Sequence, residues 1–204
     1  MQQLRDRFLQ PDELGRFNEA LKTETHADLK DFLTLAITTA ARRSDIFSMR
    51  WTDVKWERRV WTVPYPKNGE SYELLPAALD VLKRRRSLVP DTAPYVFPGV
   101  GRTGHLTDLK IPWTEFRRRA RIPDIRLHDL RRTTASYAAM AGVSLQQIGA
   151  ALGHKSMQST LVYAKLHNES VRAARESGQA KMLQMVRAAK RRAGTAKLLP
   201  RGAA

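Results

Sequence analysis

Apolar residues recur at helical spacing along most of the chain, so the pattern predicts a mainly helical protein. Residues 27–40 place Leu29, Leu33 and Ile37 on one face, which is typical of a helix packed on a core. Turn and capping residues mark several other helices. These comprise a helix opened by Pro11, a short one capped by Ser44, one opened by Pro76, and helices at about 111–121, 128–141, 144–152, 156–165 and 168–192.

One region departs from the helical pattern. Two short β-like runs within residues 60–76 flank Asn68 and Gly69, a dipeptide that favours a two-residue hairpin turn. Residues 90–110 are rich in Pro, Gly and Thr and predict a loop. The expected fold class is therefore α+β, mostly helical with a small antiparallel β-sheet or hairpin.

Charge narrows the choice of partner. The 204 residues include 36 Lys and Arg against 20 Asp and Glu, a formal net charge of +16. The electric field of so large a positive charge favours nucleic acid as the partner, over another polyanion or a membrane surface. The absence of cysteine excludes disulfides and thiolate metal sites. Without a signal-peptide core or an apolar run of about 20 residues, the sequence predicts a soluble, intracellular protein with no membrane contact.

Two tyrosines compete for a role beside a histidine–arginine pair. His128 and Arg131 are three residues apart and share a helix face. At 100° per residue Tyr137 falls on the opposite, apolar face, about 13 Å further along the axis, so we expect it to pack in the core. Tyr163, nine residues after His154, is the alternative.

The polar candidates suit phosphoryl transfer without a metal ion. A nucleophile, cations for phosphate oxygens and proton carriers are all present, whereas the carboxylate cluster of a two-metal nuclease is not among them. We therefore expect no metal and no cofactor. The candidates are Arg42, Lys67, His128, Arg131, His154 and Tyr163.

Four stretches resemble the motifs of the tyrosine recombinases, the phage integrase family. Residues 38–54, TTAARRSDIFSMRWTDV, are similar to its first arginine motif, and residues 66–70, PKNGE, to its β-hairpin lysine motif. Residues 127–137, LHDLRRTTASY, resemble the His-x-x-Arg box, and residues 152–163, LGHKSMQSTLVY, the Leu-Gly-His box that leads to the tyrosine. They follow the family's order and spacing across a full catalytic domain.

The resemblance implies covalent catalysis through a 3′-phosphotyrosyl link. Guanidinium groups stabilise the charge that develops on the phosphate oxygens, and a phenol with a pKa near 10 needs cations or a base to react at neutral pH. The implied catalytic set consists of the nucleophile Tyr163, the phosphate-binding groups Arg42, Arg131 and His154, the proton carriers Lys67 and His128, and Asp45, which supports Arg42 unless it is only a surface ion pair.

Basic positions beyond this set are expected to contact DNA phosphates, which position a protein without reading sequence. They are Lys83, Arg84, Arg85, Arg117, Arg118, Arg119, Arg132 and Lys155.

The resemblance also divides the chain and shows two departures from the family. Residues 1–167 are expected to form the catalytic domain, and residues 168–204 a basic helix or tail that is solvated, contacts DNA, or is exchanged with a neighbouring protomer. Ala40 stands where the family has glycine. The N-terminal core-binding domain is expected to be absent, as in an excised domain, a truncated product or a minimal recombinase.

The expected function is site-specific recombination of double-stranded DNA, independent of metal and ATP. The partners implied are DNA and further copies of the chain, as a tetramer on DNA and a monomer in solution. The expected location is the cytoplasm of a prokaryote, or of the host of a phage that encodes the chain. Two alternatives stay open: nicking or resolving activity like that of type IB topoisomerases, and a non-catalytic DNA-binding regulator with this fold.

Overall fold

Eight α-helices and a three-stranded antiparallel sheet form the part of the chain that this computed structural model describes, residues 6–64, 71–154 and 156–196, with side chains to residue 189. The helices are α1 (Pro11–Lys22), α2 (Ala27–Thr39), α3 (Arg43–Phe47), α4 (Pro76–Leu88), α5 (Lys110–Arg119), α6 (Leu127–Met140), α7 (Leu145–Ala151) and α8 (Ala164–Ala196). The strands are β1 (Val54–Lys55), β2 (Val60–Thr62) and β3 (Ser71–Glu73), and single 3₁₀ turns cover Trp51–Asp53, Met157–Ser159 and Leu161–Tyr163. The predicted α+β class is confirmed.

Helix α2 is the centre of the core and packs against α4 and α6. Its apolar residues are buried on more than one side, as expected for an interior helix. Phe32 stacks on Phe47 with ring centroids 4.6 Å apart and meets Phe97 edge-on at 6.3 Å. The helix predicted over 27–40 is confirmed, and it forms the base from which the chain turns into α3.

The predicted β element is also present. Strand β2 pairs with β1 on one side and β3 on the other, with Trp61 opposite both Val54 and Tyr72. Trp61 stacks on Tyr72 at 5.1 Å, so the sheet's buried face is aromatic. The predicted turn residues Asn68 and Gly69 lie outside the described residues.

Two local predictions are wrong. Ser44 does not cap α3; extended Arg42 is the N-cap residue, and Ser44 lies inside the first turn. Residues 156–163 are not an α-helix but two 3₁₀ turns that meet at Thr160, a fully buried residue whose hydroxyl is hydrogen-bonded to the His154 ring. Helix α8 therefore begins at Ala164, directly after Tyr163.

Helix α8 runs unbroken for 33 residues and packs against α6 near its start. Further along, it exposes the apolar side chains Met182, Leu183, Met185 and Val186. Across the residues that the structure describes, no helix combines the length and the apolar character needed to cross a membrane.

Candidate active site

A cavity of about 570 Å³ brings together five of the seven predicted catalytic side chains. They come from four separate segments of the chain: the α2–α3 junction, α6, the end of α7 and the last 3₁₀ turn. The five are Arg42, His128, Arg131, His154 and Tyr163.

A left-handed residue at the end of α2 directs the chain toward the cavity. Ala40 has φ 54° and ψ 21°, and its N–H donates to the Ala36 carbonyl at 3.1 Å. Glycine usually occupies such a position, because a Cβ there costs about 1–2 kcal/mol. The alanine found in place of the family's glycine thus adopts the glycine-like conformation, and the chain continues into extended Arg42.

Arg131 ties this turn to the segment that carries His154. Its side chain is buried, and Nη1 donates to the Ala40 carbonyl at 2.7 Å while Nη2 donates to the Leu152 carbonyl. Within the described ranges no carboxylate lies within ion-pair distance of Arg131. Its positive charge is therefore held by backbone dipoles at the cavity and stays unneutralised.

Arg42 reaches both the segment that carries His154 and the first turn of α3. Its Nη2 donates to the Gly153 carbonyl at 3.4 Å, and its Nη1 lies 3.7 Å from Asp45 Oδ2 on the first turn of α3. Asp45 thus contacts Arg42, as the sequence predicts, through an ion pair that is partly exposed to solvent.

His154 has a buried partner that sequence reasoning missed. Its Nδ1 lies 2.9 Å from Oγ1 of Thr160, a residue with 0% exposure. A Cβ added to Gly149 would come within 3.0 Å of that same oxygen. A larger residue at position 149 would displace Thr160, so Gly149 and Thr160 together fix the imidazole edge. The only signal in the sequence is a threonine six residues after the histidine.

Tyr163 is buried beside the cationic groups, with 6% exposure. Burial raises the pKa of its phenol, and the positive charges of Arg131 and Arg132 oppose that rise without cancelling it. In this arrangement the hydroxyl keeps its proton at neutral pH.

The pKa of His128 is shifted in the opposite direction, downward. Desolvation lowers the pKa of its imidazole, the charges of Arg132, Arg131 and Arg42 lower it further, and Asp129 opposes them. The ring is therefore neutral at pH 7 and able to accept a proton. Arg132, which the sequence predicts only as a DNA contact, also lines the cavity and lies 3.8 Å from buried Asp129.

Arg85 corrects the predicted set of DNA contacts. Its guanidinium is 6% exposed and pairs with Asp28 at 2.8 Å and Asp31 at 3.2 Å, while Nε donates to the Val96 carbonyl at 2.8 Å. It also lies over the Phe97 ring. A side chain enclosed in this way has no surface to offer a phosphate, so Arg85 holds α4 to α2.

The other predicted DNA contacts differ in whether another group of the protein already binds the side chain. Arg84 pairs with Asp31, Arg119 with Glu24, and Arg118 with Glu115, whereas Lys83 is exposed. Arg117 donates to the Pro123 carbonyl at 2.7 Å. Lys155, like the predicted catalytic Lys67, lies outside the described residues.

Tyr137 lies outside the cavity, as the sequence predicts, but it is half-buried and is not part of the core. Its ring meets Phe8 edge-on at 6.4 Å, and it does not line the cavity. Its hydroxyl is buried without a hydrogen-bond partner among the described residues.

Comparison with known proteins assigns the family. The sequence profile of the phage integrase family matches residues 7–170, and the chain belongs to that family. It is 29% identical over 180 residues to the integrase of Salmonella phage P22, covering 79% of this chain and 44% of that protein. It is 28% identical over 163 residues to a shufflon-specific DNA recombinase of Escherichia coli, covering 79% of this chain and 41% of the relative. The chain thus spans less than half the length of these two relatives.

Solved structures share the fold. The catalytic domain of bacteriophage HP1 integrase superposes with a TM-score of 0.60 at 20% identity, covering 83% of this chain and 93% of that domain. The Tn1549 transposon integrase, in complex with circular intermediate DNA, gives a TM-score of 0.70 at 17% identity, covering 85% of this chain and 66% of that one.

Proposed function

We propose that this chain is the catalytic part of a site-specific recombinase, which cleaves and rejoins double-stranded DNA through a covalent bond to Tyr163. One observation carries the proposal: a phenol, three guanidinium groups and two imidazoles line a single cavity. The family and the net charge of +16 agree with a DNA substrate.

The proposed reaction is a phosphoryl transfer. The Tyr163 oxygen attacks the scissile phosphorus, the bond from phosphorus to the 5′-oxygen breaks, and a 3′-phosphotyrosyl link and a 5′-hydroxyl result. Arg42, Arg131 and His154 hold the non-bridging oxygens, where charge builds in the transition state. Attack by a 5′-hydroxyl on the same phosphorus reverses the step and rejoins DNA. The link conserves the phosphodiester energy and the guanidinium groups supply positive charge, so the cycle needs neither ATP nor a metal ion.

Two proton transfers complete the proposed reaction. His128, neutral because its pKa is lowered, receives the phenol proton as the new bond forms. The 5′-oxygen takes a proton from Lys67, a role that stays a prediction from the family motif. Because burial raises the pKa of Tyr163, the phenol gains reactivity only when bound DNA brings phosphate and base into line.

Assembly on DNA is proposed to use the end of α8. Met182 and Val186, with the apolar residues between them, are exposed on a helix whose distal part leaves the body of the domain. Burying this face against a neighbouring protomer would join protomers into the expected tetramer. The glutamate substitutions Met182→Glu and Val186→Glu should leave DNA binding by one protomer intact and abolish higher complexes in a native gel. Unchanged complexes would contradict this role for α8.

The expected site of action is the cytoplasm of a prokaryotic cell.

Trapping the covalent complex tests the chemistry. The substrate is a pool of duplexes with randomised sequence and a nick that lets the cleaved fragment diffuse away. We expect a protein–DNA adduct that survives denaturing detergent and forms in the presence of EDTA. It should disappear in Tyr163→Phe and persist in Tyr137→Phe, the control for loss of a tyrosine hydroxyl. Sequencing the trapped DNA would define the target site.

Other outcomes separate the alternatives. An adduct that survives Tyr163→Phe would reassign the nucleophile. Relaxation of supercoiled DNA without sequence preference or strand exchange would indicate topoisomerase-like activity. Binding with no adduct under any condition would favour a regulator that keeps the fold without the chemistry.

A further inference from the structure

A second cavity, of about 630 Å³, adjoins the candidate active site. Arg42 and His128 line both cavities, so the two share a wall. The rest of the second cavity comes from the start of α3, the residues leading into α5, one face of α5, and the start of α6.

The lining of this second cavity is strongly basic. It adds Arg43, Lys110, Arg117 and Arg126 to the shared groups, against one carboxylate, Asp108. Side chains on one face of α5 contribute at i, i+4 and i+7, the spacing of a continuous helical stripe; they are Lys110, Thr114 and Arg117.

Three basic side chains of this cavity differ from Arg42, which pairs with Asp45. In the portion of the chain that the structure describes, no carboxylate lies within ion-pair distance of Arg43, Lys110 or Arg126. The basic groups at the ends of α4 and α5 differ, since Arg84 and Arg119 each pair with a carboxylate. Unpaired cations that surround one concave surface repel each other, and an anion bound there relieves the repulsion.

One member of the cavity is already oriented. Arg117 donates to the Pro123 carbonyl at 2.7 Å, and its guanidinium lies over the Trp113 ring at 5.7 Å. Its Nε is buried without a hydrogen-bond partner among the described residues. The guanidinium is thus held in place at the edge of the cavity before any ligand binds.

We propose that this cavity binds the DNA backbone next to the scissile phosphate, with Arg43, Lys110 and Arg126 on the flanking phosphates. The proposal rests on the proposed function, because that function places Arg42 and His128 at the scissile phosphate itself. A strand whose cleaved phosphate lies in the first cavity continues across the shared wall into the second. These contacts set the register of the strand and read no bases.

The test measures binding first. The variants are Arg43→Gln, Lys110→Gln and Arg126→Gln, and the matched control is Lys22→Gln, because Lys22 is exposed, pairs with Glu19 and lies outside both cavities. The probe is an intact duplex identified by the covalent trap. Each cavity variant should reduce the slope of log Kd against log salt concentration by about 0.9 per lost phosphate contact. Lys22→Gln should match the wild type, and thermal melting checks that all four variants fold.

A second measurement locates the contact. Nicked substrates carry one uncharged methylphosphonate at the first or second phosphate on either side of the phosphate that becomes linked to the protein. If a variant has lost its contact with a given phosphate, neutralising that phosphate should slow adduct formation in the wild type and have no further effect in the variant.

The outcomes distinguish this proposal from the proposed function. Coupling between at least one variant and one flanking phosphate supports the cavity as a backbone site. Variants that behave like Lys22→Gln, or that weaken binding without coupling to any flanking phosphate, overturn it while leaving the chemistry intact. Failure of the proposed function appears differently, as absence of adduct from the wild-type protein on every DNA.

Discussion

Arg85 and Arg131 are both buried arginines, with exposures of 6% and 5%, yet carboxylates neutralise only the first of them. Two carboxylates, Asp28 and Asp31, surround the Arg85 guanidinium, whereas two backbone carbonyls hold that of Arg131. The charges around Arg85 balance each other, and this cluster stabilises the fold. The region around Arg131 keeps a net positive charge at the wall of a cavity, which is the condition for binding a phosphate. The partners of an arginine therefore tell more about its role than its burial does.

Removing the charge of Arg85 should have the largest effect on the free energy of unfolding. Arg85→Met leaves Asp31, which is 2% exposed, with one cationic partner fewer, and should lower the free energy of unfolding by about 3–5 kcal/mol. Urea denaturation measures the loss, with Lys83→Met on the exposed side of α4 as the control. A stable Arg85→Met protein with weakened DNA binding would restore Arg85 as a DNA contact.

Arg131→Lys changes the other region while keeping its charge. The planar guanidinium of arginine can bind both carbonyls and a phosphate at once, and the ammonium group of lysine cannot. We therefore expect adduct formation to slow by about 10²–10³-fold. Single-turnover kinetics on the nicked duplex measure the rate, and Arg16→Lys on α1, outside the cavity, is the matched control. A rate close to that of the wild type would show that charge alone is sufficient at this position.

The Thr160–His154 contact is expected to have a smaller effect. Thr160→Val keeps the buried volume and removes the hydrogen bond, so adduct formation should slow by about 3–10-fold, the equivalent of about 0.5–1.5 kcal/mol. Thr160→Ser should recover the rate, and Gly149→Ala should resemble Thr160→Val because its Cβ would displace the threonine oxygen. A purely structural role would lower thermal stability in Thr160→Val without the recovery by serine.

The turn that supports Arg131 offers a stabilising change. Ala40→Gly removes the Cβ from a residue with φ 54° and should raise the free energy of unfolding by about 0.5–1 kcal/mol. Ala41→Gly, next to it and without a positive φ, should instead destabilise the protein. Equal effects at the two positions would contradict the conformational explanation.

The pH dependence of stability should reflect the burial of His128 and the cations around it. Because its pKa in the folded protein lies below the ordinary 6.5, the unfolded chain binds more protons between the two values, and stability falls as pH drops through that window. His128→Gln should flatten this acid limb in thermal melts between about pH 5 and 7.5. An unchanged limb would mean that another group controls it.

The sequence predicted what depends on local pattern. The helices around 27–40, 76–88 and 128–141 follow from apolar spacing and proline, and the hairpin from its β-like runs. The pattern could not separate Arg85 from Arg131, because both lie in basic runs and the partners of each come from distant segments. Thr160 was hidden for a similar reason, since its partner His154 lies outside the helix that the pattern predicted.

Helix α8 begins one residue after the proposed nucleophile and continues for 33 residues, a length of about 50 Å. Gly178 lies near the middle of that length, and a Cβ added there would meet nothing within 4 Å. Because glycine is less favourable than alanine inside a helix by about 0.5–1 kcal/mol, Gly178→Ala should stiffen the lever that joins the far end of α8 to the reacting oxygen.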